Sequence, residues 1–400
     1  MYKPIRTLEL SHSFVRSATL TSNMKSFLSK VALAASFLAA NCCASELEWI
    51  SKNSSLPKVI IYSAGGTILS ASNWSRIDNI AYGSGRGPTP LDLIGNYSEV
   101  LDVAQLAIVT FPTSGGSAGL NSSLYLNISQ YANKQLCHET SDVAGAIMFH
   151  GTNTLEETAF GVDLTLNCSK PFIATGAMRP HSYMSPDGPS NFYQAVSAAA
   201  SPSSRDRGGL IVFNDRITSI FYSTKTNANT PDTFKALEQG NLGAFLGGQP
   251  FYFFGPAYPN GRPYFDITNT TELPSVAIFF AHQGFDATLL AAAVANGAEG
   301  LVVMGPGAAS ISPSTREAAN ELYKQGIPTV LVARPVTGSG APNRVPGSVI
   351  YSSYVGAEQA RIMLQLAINA GHSLDEIRDL FEGPLRKAIY TSANIDIYEL

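Results

Sequence analysis

The chain has 400 residues, 45% hydrophobic and only 14% charged, enough apolar content to bury a large core in two domains rather than one, which excludes a disordered protein. Its net charge of −4, without a long run of Lys or Arg, gives no electrostatic reason to expect nucleic acid or an anionic membrane as partner. A small-molecule substrate fits better.

In chain order, the first feature lies at residues 24–45. Lys25 and Lys30 precede an apolar core at 31–40, and small residues follow to Cys42-Cys43-Ala44, so residues 1–44 read as a secretory signal peptide with Met24 as the true start. The apolar run is too short to span a bilayer. Glycosylation acceptors at Asn53, Asn73, Asn96, Asn121, Asn127, Asn167 and Asn269, each followed two residues later by Ser or Thr, agree with export. The expected location is therefore extracellular or the cell-wall space. After cleavage only Cys137 and Cys168 remain, and a disulfide is the natural expectation for an even pair in an oxidising compartment.

β-Branched runs then alternate with helix-like stretches, the pattern of an α/β protein with a mainly parallel sheet. Val59-Ile60-Ile61-Tyr62 stops at Ala64-Gly65-Gly66-Thr67, and Ala107-Ile108-Val109-Thr110-Phe111 runs into a Gly- and Ser-rich loop at 112–119. A third run at 144–149 ends at His150-Gly151-Thr152-Asn153, after which Thr154 and Glu157 are spaced as the capping box of a helix. Pro171-Phe172-Ile173-Ala174 leads to Gly176-Ala177-Met178-Arg179-Pro180, and Gly209-Leu210-Ile211-Val212-Phe213 precedes Asn214-Asp215. Polar loops after parallel strands should converge on one crevice at the carboxyl ends of the sheet. Residues 249–272, rich in Pro, Gly, Tyr and Asn, read as a long connection. A second, smaller α/β unit follows, with runs at 275–280, 300–304 and 329–333 and an amphipathic segment at 357–370. The expected domains are 56–256 and 272–400, joined by a linker at 257–271. His150, His181 and His282 stand apart without ligand spacing and no Cys/His cluster occurs, so neither metal nor other cofactor is expected.

A threonine at a glycine-rich strand end can act as a nucleophile if a neighbour takes its proton. Ala64-Gly65-Gly66-Thr67-Ile68 and His150-Gly151-Thr152-Asn153-Thr154-Leu155-Glu156-Glu157-Thr158 resemble the two signature segments of bacterial-type L-asparaginases. Gly176-Ala177-Met178-Arg179-Pro180, Ser185-Pro186-Asp187-Gly188-Pro189 and Thr224-Lys225-Thr226-Asn227 resemble further motifs of that family in the same order, and the likeness runs from about Leu56 to the C-terminus. The resemblance is to secreted members and extends to the Cys137 and Cys168 pair, which is similar to a disulfide they carry. It implies a two-domain fold that hydrolyses L-asparagine to L-aspartate and ammonia, with Thr67 attacking the amide carbon and Tyr82, on a lid at 69–90, assisting proton transfer. It also implies that Thr152, Asn153 and Lys225 form a second polar constellation, that Thr152 and Ala177 hold the reacting group, that Ser117 bonds the substrate carboxylate, and that the chain assembles as a homotetramer or dimer.

The chain departs from the family where a substrate ammonium would sit. Asn153 stands in place of an Asp, Ala118 and Gly119 replace a polar and an acidic residue, and Ala341-Pro342-Asn343-Arg344-Val345-Pro346 lacks the acid that members commonly lend to a neighbouring subunit. Every change removes negative charge. Besides asparagine hydrolysis, two further readings follow: an amidase for a related amide without a free α-ammonium, and a non-catalytic binding protein. Retention of Lys225 argues against the last, because a charge near a buried pocket is costly to keep without a use.

Overall fold

The computed structural model describes residues 47–80, 83, 85–113 and 116–391; the signal-peptide reading at 1–44, its Met24 start, and Tyr82 lie outside the described residues. Of the two compact units into which the chain divides, residues 48–400 hold everything described below.

Strands Lys58–Ser63 (β1), Gln105–Thr110 (β2), Val143–Phe149 (β3), Phe172–Thr175 (β4) and Leu210–Phe213 (β5) fall on the five apolar runs of the first half. They pair in parallel in the spatial order β5-β4-β3-β1-β2. Parallel neighbours need crossovers. Pro90–Asn96 (α1), Ser123–Gln135 (α2), Leu155–Asp163 (α3) and Gly188–Ala200 (α4) lie in the successive connections. Val59, Ile61, Leu106, Ile147, Phe149 and Ile173 of the sheet form one buried cluster with Phe192, Ala195 and Val196 of α4. Each such side chain contributes roughly 1.5–3 kcal/mol by leaving water.

The sheet does not stop at β5. Asn214 and Asp215 both have positive φ, 49° and 63°, and return the chain at once as the antiparallel strand Arg216–Ser219 (β6). Thr224–Lys225 (β7) and Phe234–Lys235 (β8) form a separate two-stranded ladder, after which Gly243–Leu246 (β9) and Gln249–Tyr252 (β10) complete an eight-stranded sheet. The stretch at 249–272, expected as irregular connection throughout, thus begins inside the sheet. Pro250 is tolerated there because β10 is the edge strand.

The second half is a four-stranded parallel sheet in sequential order: Val276–Phe280 (β11), Gly300–Gly305 (β12), Thr329–Ala333 (β13) and Ile350–Tyr351 (β14). Helices Thr288–Ala295 (α5), Pro313–Lys324 (α6), Ala357–Asn369 (α7) and Leu374–Arg386 (α8) accompany it. The α7 helix serves both halves. Its Leu364 and Ile368 pack where Gly300 of β12 leaves room, while Arg361 pairs with Glu157 of α3 at 3.0 Å and Gln359 Nε2 donates to the Ser223 carbonyl at 3.0 Å.

The capping box expected from Thr154 and Glu157 does not form. Thr154 makes no side-chain cap; its hydroxyl donates to the Ser117 carbonyl at 2.8 Å, tying the loop after β2 to the start of α3, and Glu157 is engaged by Arg361. Capping boxes occur instead at Thr89 with Asp92 and at Ser373 with Glu376. Cys137, just past α2, and Cys168, in the loop after α3, are joined as a disulfide.

Candidate active site

The loops that leave β1, β2, β3 and β4 meet through glycines. At Gly66 φ is 104°, and a Cβ there would lie 2.6 Å from the Gly151 nitrogen, so only glycine lets the first loop rest on the main chain of the third. A Cβ on Gly151 would in turn lie 2.6 Å from Ser117 Oγ, and one on Gly176 would lie 2.6 Å from the His150 carbonyl oxygen. Thr67 and Thr152, one residue beyond two of these glycines, are both buried at 5% exposure, as is Ser117 at 6%. Ala177 is fully buried in the same core cluster as Ile68. The fourth loop is held from α4: Asp187 accepts from the main-chain nitrogens of Met178 and Arg179 at 3.0 and 2.9 Å, and Asn191 Nδ2 donates to the Gly176 carbonyl at 3.0 Å.

Lys225 reaches this cluster from the short β7 ladder. Its Nζ donates to Thr152 Oγ1 at 3.0 Å and to Asn153 Oδ1 at 3.4 Å. Partial burial pulls the Lys225 pKa below its ordinary value, against the charge of nearby Glu156, which raises it. Glu156 is buried in the first turn of α3 and accepts the Lys225 main-chain N–H at 2.7 Å. Desolvation pushes its carboxyl up to about 7, opposed by the bonds from Thr224 and Lys225. His150, also buried, is held down to about 4 by desolvation and so stays neutral near pH 7.

Of the residues singled out from sequence, Lys225, Thr152 and Asn153 are in direct contact, while Thr67, Ser117 and Ala177 lie on the loops that the glycines bring together. Tyr82 is outside the described residues; in the neighbouring segment Ser72 N donates to Ser182 Oγ at 2.8 Å and Gly83 N to the Ala71 carbonyl at 2.8 Å. Asn153 is exposed, as are Ala118 and Gly119. Sequence reasoning missed Glu156, Asp187 and Asn191. A charge inside the largely apolar stretch Leu155-Glu156-Glu157-Thr158-Ala159-Phe160-Gly161-Val162 was the available signal for the first.

The family model described as "Asparaginase, N-terminal" matches residues 58–257, and "Glutaminase/Asparaginase C-terminal domain" matches residues 275–381. The chain is 41% identical over 337 residues to L-asparaginase 2-3 of Saccharomyces cerevisiae, covering 83% of this chain and 91% of that protein. It is 40% identical over 355 residues to Probable L-asparaginase 1 of Schizosaccharomyces pombe, covering 88% and 96%. Among solved structures it is similar to the probable cytoplasmic L-asparaginase of Campylobacter jejuni, with a TM-score of 0.74 and 28% identity over 81% of this chain and 99% of that one.

The last likeness corrects the expectation of a secreted protein. A structure of the same fold is described as cytoplasmic, so neither the fold nor its motifs carry an extracellular address. Two of the seven Asn-x-Ser/Thr triplets form side-chain turns: Asn53 Oδ1 accepts from Ser55 N at 2.9 Å and Asn121 Oδ1 from Ser123 N at 3.1 Å. With two family models covering both sheets and full-length relatives above 30% identity, the chain belongs to the asparaginase family and is an amidohydrolase of that type.

Proposed function

We propose that the chain hydrolyses L-asparagine to L-aspartate and ammonia with Thr67 as nucleophile. The observation that carries this reading is the 3.0 Å bond between Lys225 Nζ and Thr152 Oγ1, beside a buried Thr67 on glycine-bridged loops. A lysine partly stripped of water accepts or relays a proton more readily than an exposed one. In this scheme Thr67 Oγ1 attacks the amide carbon, Tyr82 on the lid assists its deprotonation, ammonia leaves, and water cleaves the resulting acyl-threonine ester. Thr152 and the Ala177 main chain hold the reacting group, where fixed donors stabilise a developing oxyanion by several kcal/mol. Ser117 takes the substrate carboxylate, and the Asn153 amide oxygen offers a neutral acceptor to the α-ammonium. Relatives named L-asparaginases support free asparagine rather than a related amide or a non-catalytic role. The proposed working form is a homotetramer or homodimer, in keeping with an oligomeric family.

Ammonia release from L-asparagine, L-glutamine and N-acetyl-asparagine tests the reading. Free asparagine is expected to be the best substrate, with release falling at least about a hundred-fold in Thr67→Ala. Release unchanged in that variant would remove Thr67 from the chemistry, and release from the acylated amide alone would overturn the substrate.

A further inference from the structure

The segment 152–156 grips Lys225 at three points. Thr152 and Asn153 take the ammonium at 3.0 and 3.4 Å, and Glu156 takes the lysine's own main-chain N–H at 2.7 Å. Lys225 has little other support. It sits on a strand two residues long, in a ladder apart from the eight-stranded sheet, next to Thr226, whose N–H donates to the Thr233 carbonyl. Glu156, by contrast, belongs to a helix whose residues are almost all buried. We propose that Glu156 is a positioning residue for Lys225, its buried carboxylate fixing the lysine main chain and its charge favouring the protonated amine, so that one rigid segment sets both the place and the proton affinity of the group bonded to Thr152. This rests on the reading above in which Lys225 serves the reaction.

A buried carboxylate is an expensive way to accept the Lys225 N–H and the Thr224 hydroxyl, since a neutral amide oxygen accepts hydrogen bonds without desolvating a charge. What only the carboxylate supplies is a charge, which it carries as pH rises through about 7. The charged groups facing it are Lys225 on β7, Glu358 in the first turn of α7, and Glu157 on its own helix, the last already paired with Arg361 at 3.0 Å. Thr224 and Glu358 border the same cleft as Arg334, between the two sheets, so water reaches the Thr224 side of the pair.

The test compares the pH profile of kcat and KM for ammonia release from L-asparagine in the full-length protein, Glu156→Gln, Glu156→Ala and Lys225→Ala, each checked by thermal unfolding. Glu156→Gln keeps an acceptor but loses the charge. It is expected to fold, to leave KM close to the wild-type value, and to move the limb that reports Lys225 to lower pH by about one unit, because the negative charge that opposed loss of the lysine proton is gone. With the backbone hold gone as well, Glu156→Ala is expected to lose about ten- to a hundred-fold in kcat. If Glu156→Ala does not fold, the Gln variant alone decides. An unmoved limb with wild-type kcat in Glu156→Gln, while Lys225→Ala is inactive, overturns the positioning role and leaves the catalytic reading standing. Full activity in Lys225→Ala overturns both.

Discussion

Gly66 decides whether the first two signature segments can touch. Replacing it with alanine puts a Cβ 2.6 Å from the Gly151 nitrogen, against main chain that has nowhere to go, and does so at a φ of 104°. Gly83 has nearly the same φ, 100°, but a Cβ there would meet nothing within 4 Å among the described residues, and it serves as the control. Gly83→Ala is expected to cost about 1 kcal/mol from backbone strain alone, Gly66→Ala about 3 kcal/mol and most of the activity, both read by chemical denaturation and ammonia release. At this scale the paired glycines were legible in the sequence as a tight turn with close backbone approach, whereas Thr67 beside them was singled out only because several motifs resemble one family in the same order. Lys225 was legible only through resemblance: 73 residues separate it from Thr152, and a lone lysine in a polar stretch reads as a solvated charge. Glu156 was not recognised, since an acid in the first turn of a helix is ordinarily explained by the helix dipole.

Among the elements, α7 and the parallel strands other than the two-residue β14 were readable from β-branched runs and helical periodicity. The antiparallel extension was not. β6, β9 and β10 are short, and only the positive φ of Asn214 and Asp215, invisible in sequence, reverses the chain after β5. The α3 helix shows how an element divides its tasks along its length. Its first turn meets Lys225, and beyond its last turn Cys168 is joined to Cys137, a closed loop of 31 residues. Because the crosslink lies past the end of α3 away from the site, the double variant Cys137→Ser, Cys168→Ser is expected to lose about 3–4 kcal/mol of stability on loop-entropy grounds while keeping its kcat. Denaturation midpoints with and without reductant, alongside turnover by the folded fraction, read the two effects separately. A matching fall in kcat would mean that the crosslink also holds the first turn in place.

At the scale of the whole molecule, two sheets with separate cores are held together by side chains from the connection and from α7. Asp163, at the end of α3, accepts from Gly209 N at 2.6 Å and from Arg262 Nε at 3.0 Å, so one buried carboxylate ties a helix, the approach to β5 and the connecting segment. The smaller sheet ends in β11, an edge strand that leaves Phe280 57% and Ile278 37% exposed. Edge strands with exposed apolar side chains invite pairing with another chain. The protein is therefore expected to sediment as a homodimer or homotetramer, and Ile278→Glu combined with Phe280→Glu to lower the mass; an unchanged mass would place the contact elsewhere. The reach of α7 across to Ser223 and Glu157 has a consequence for protein engineering. Cutting the chain in the connection would part Ser223 and Glu157 from Gln359 and Arg361 while leaving each half its own sheet, so the fold offers a natural division for a complementation reporter, in which turnover returns only when the two fragments find one another.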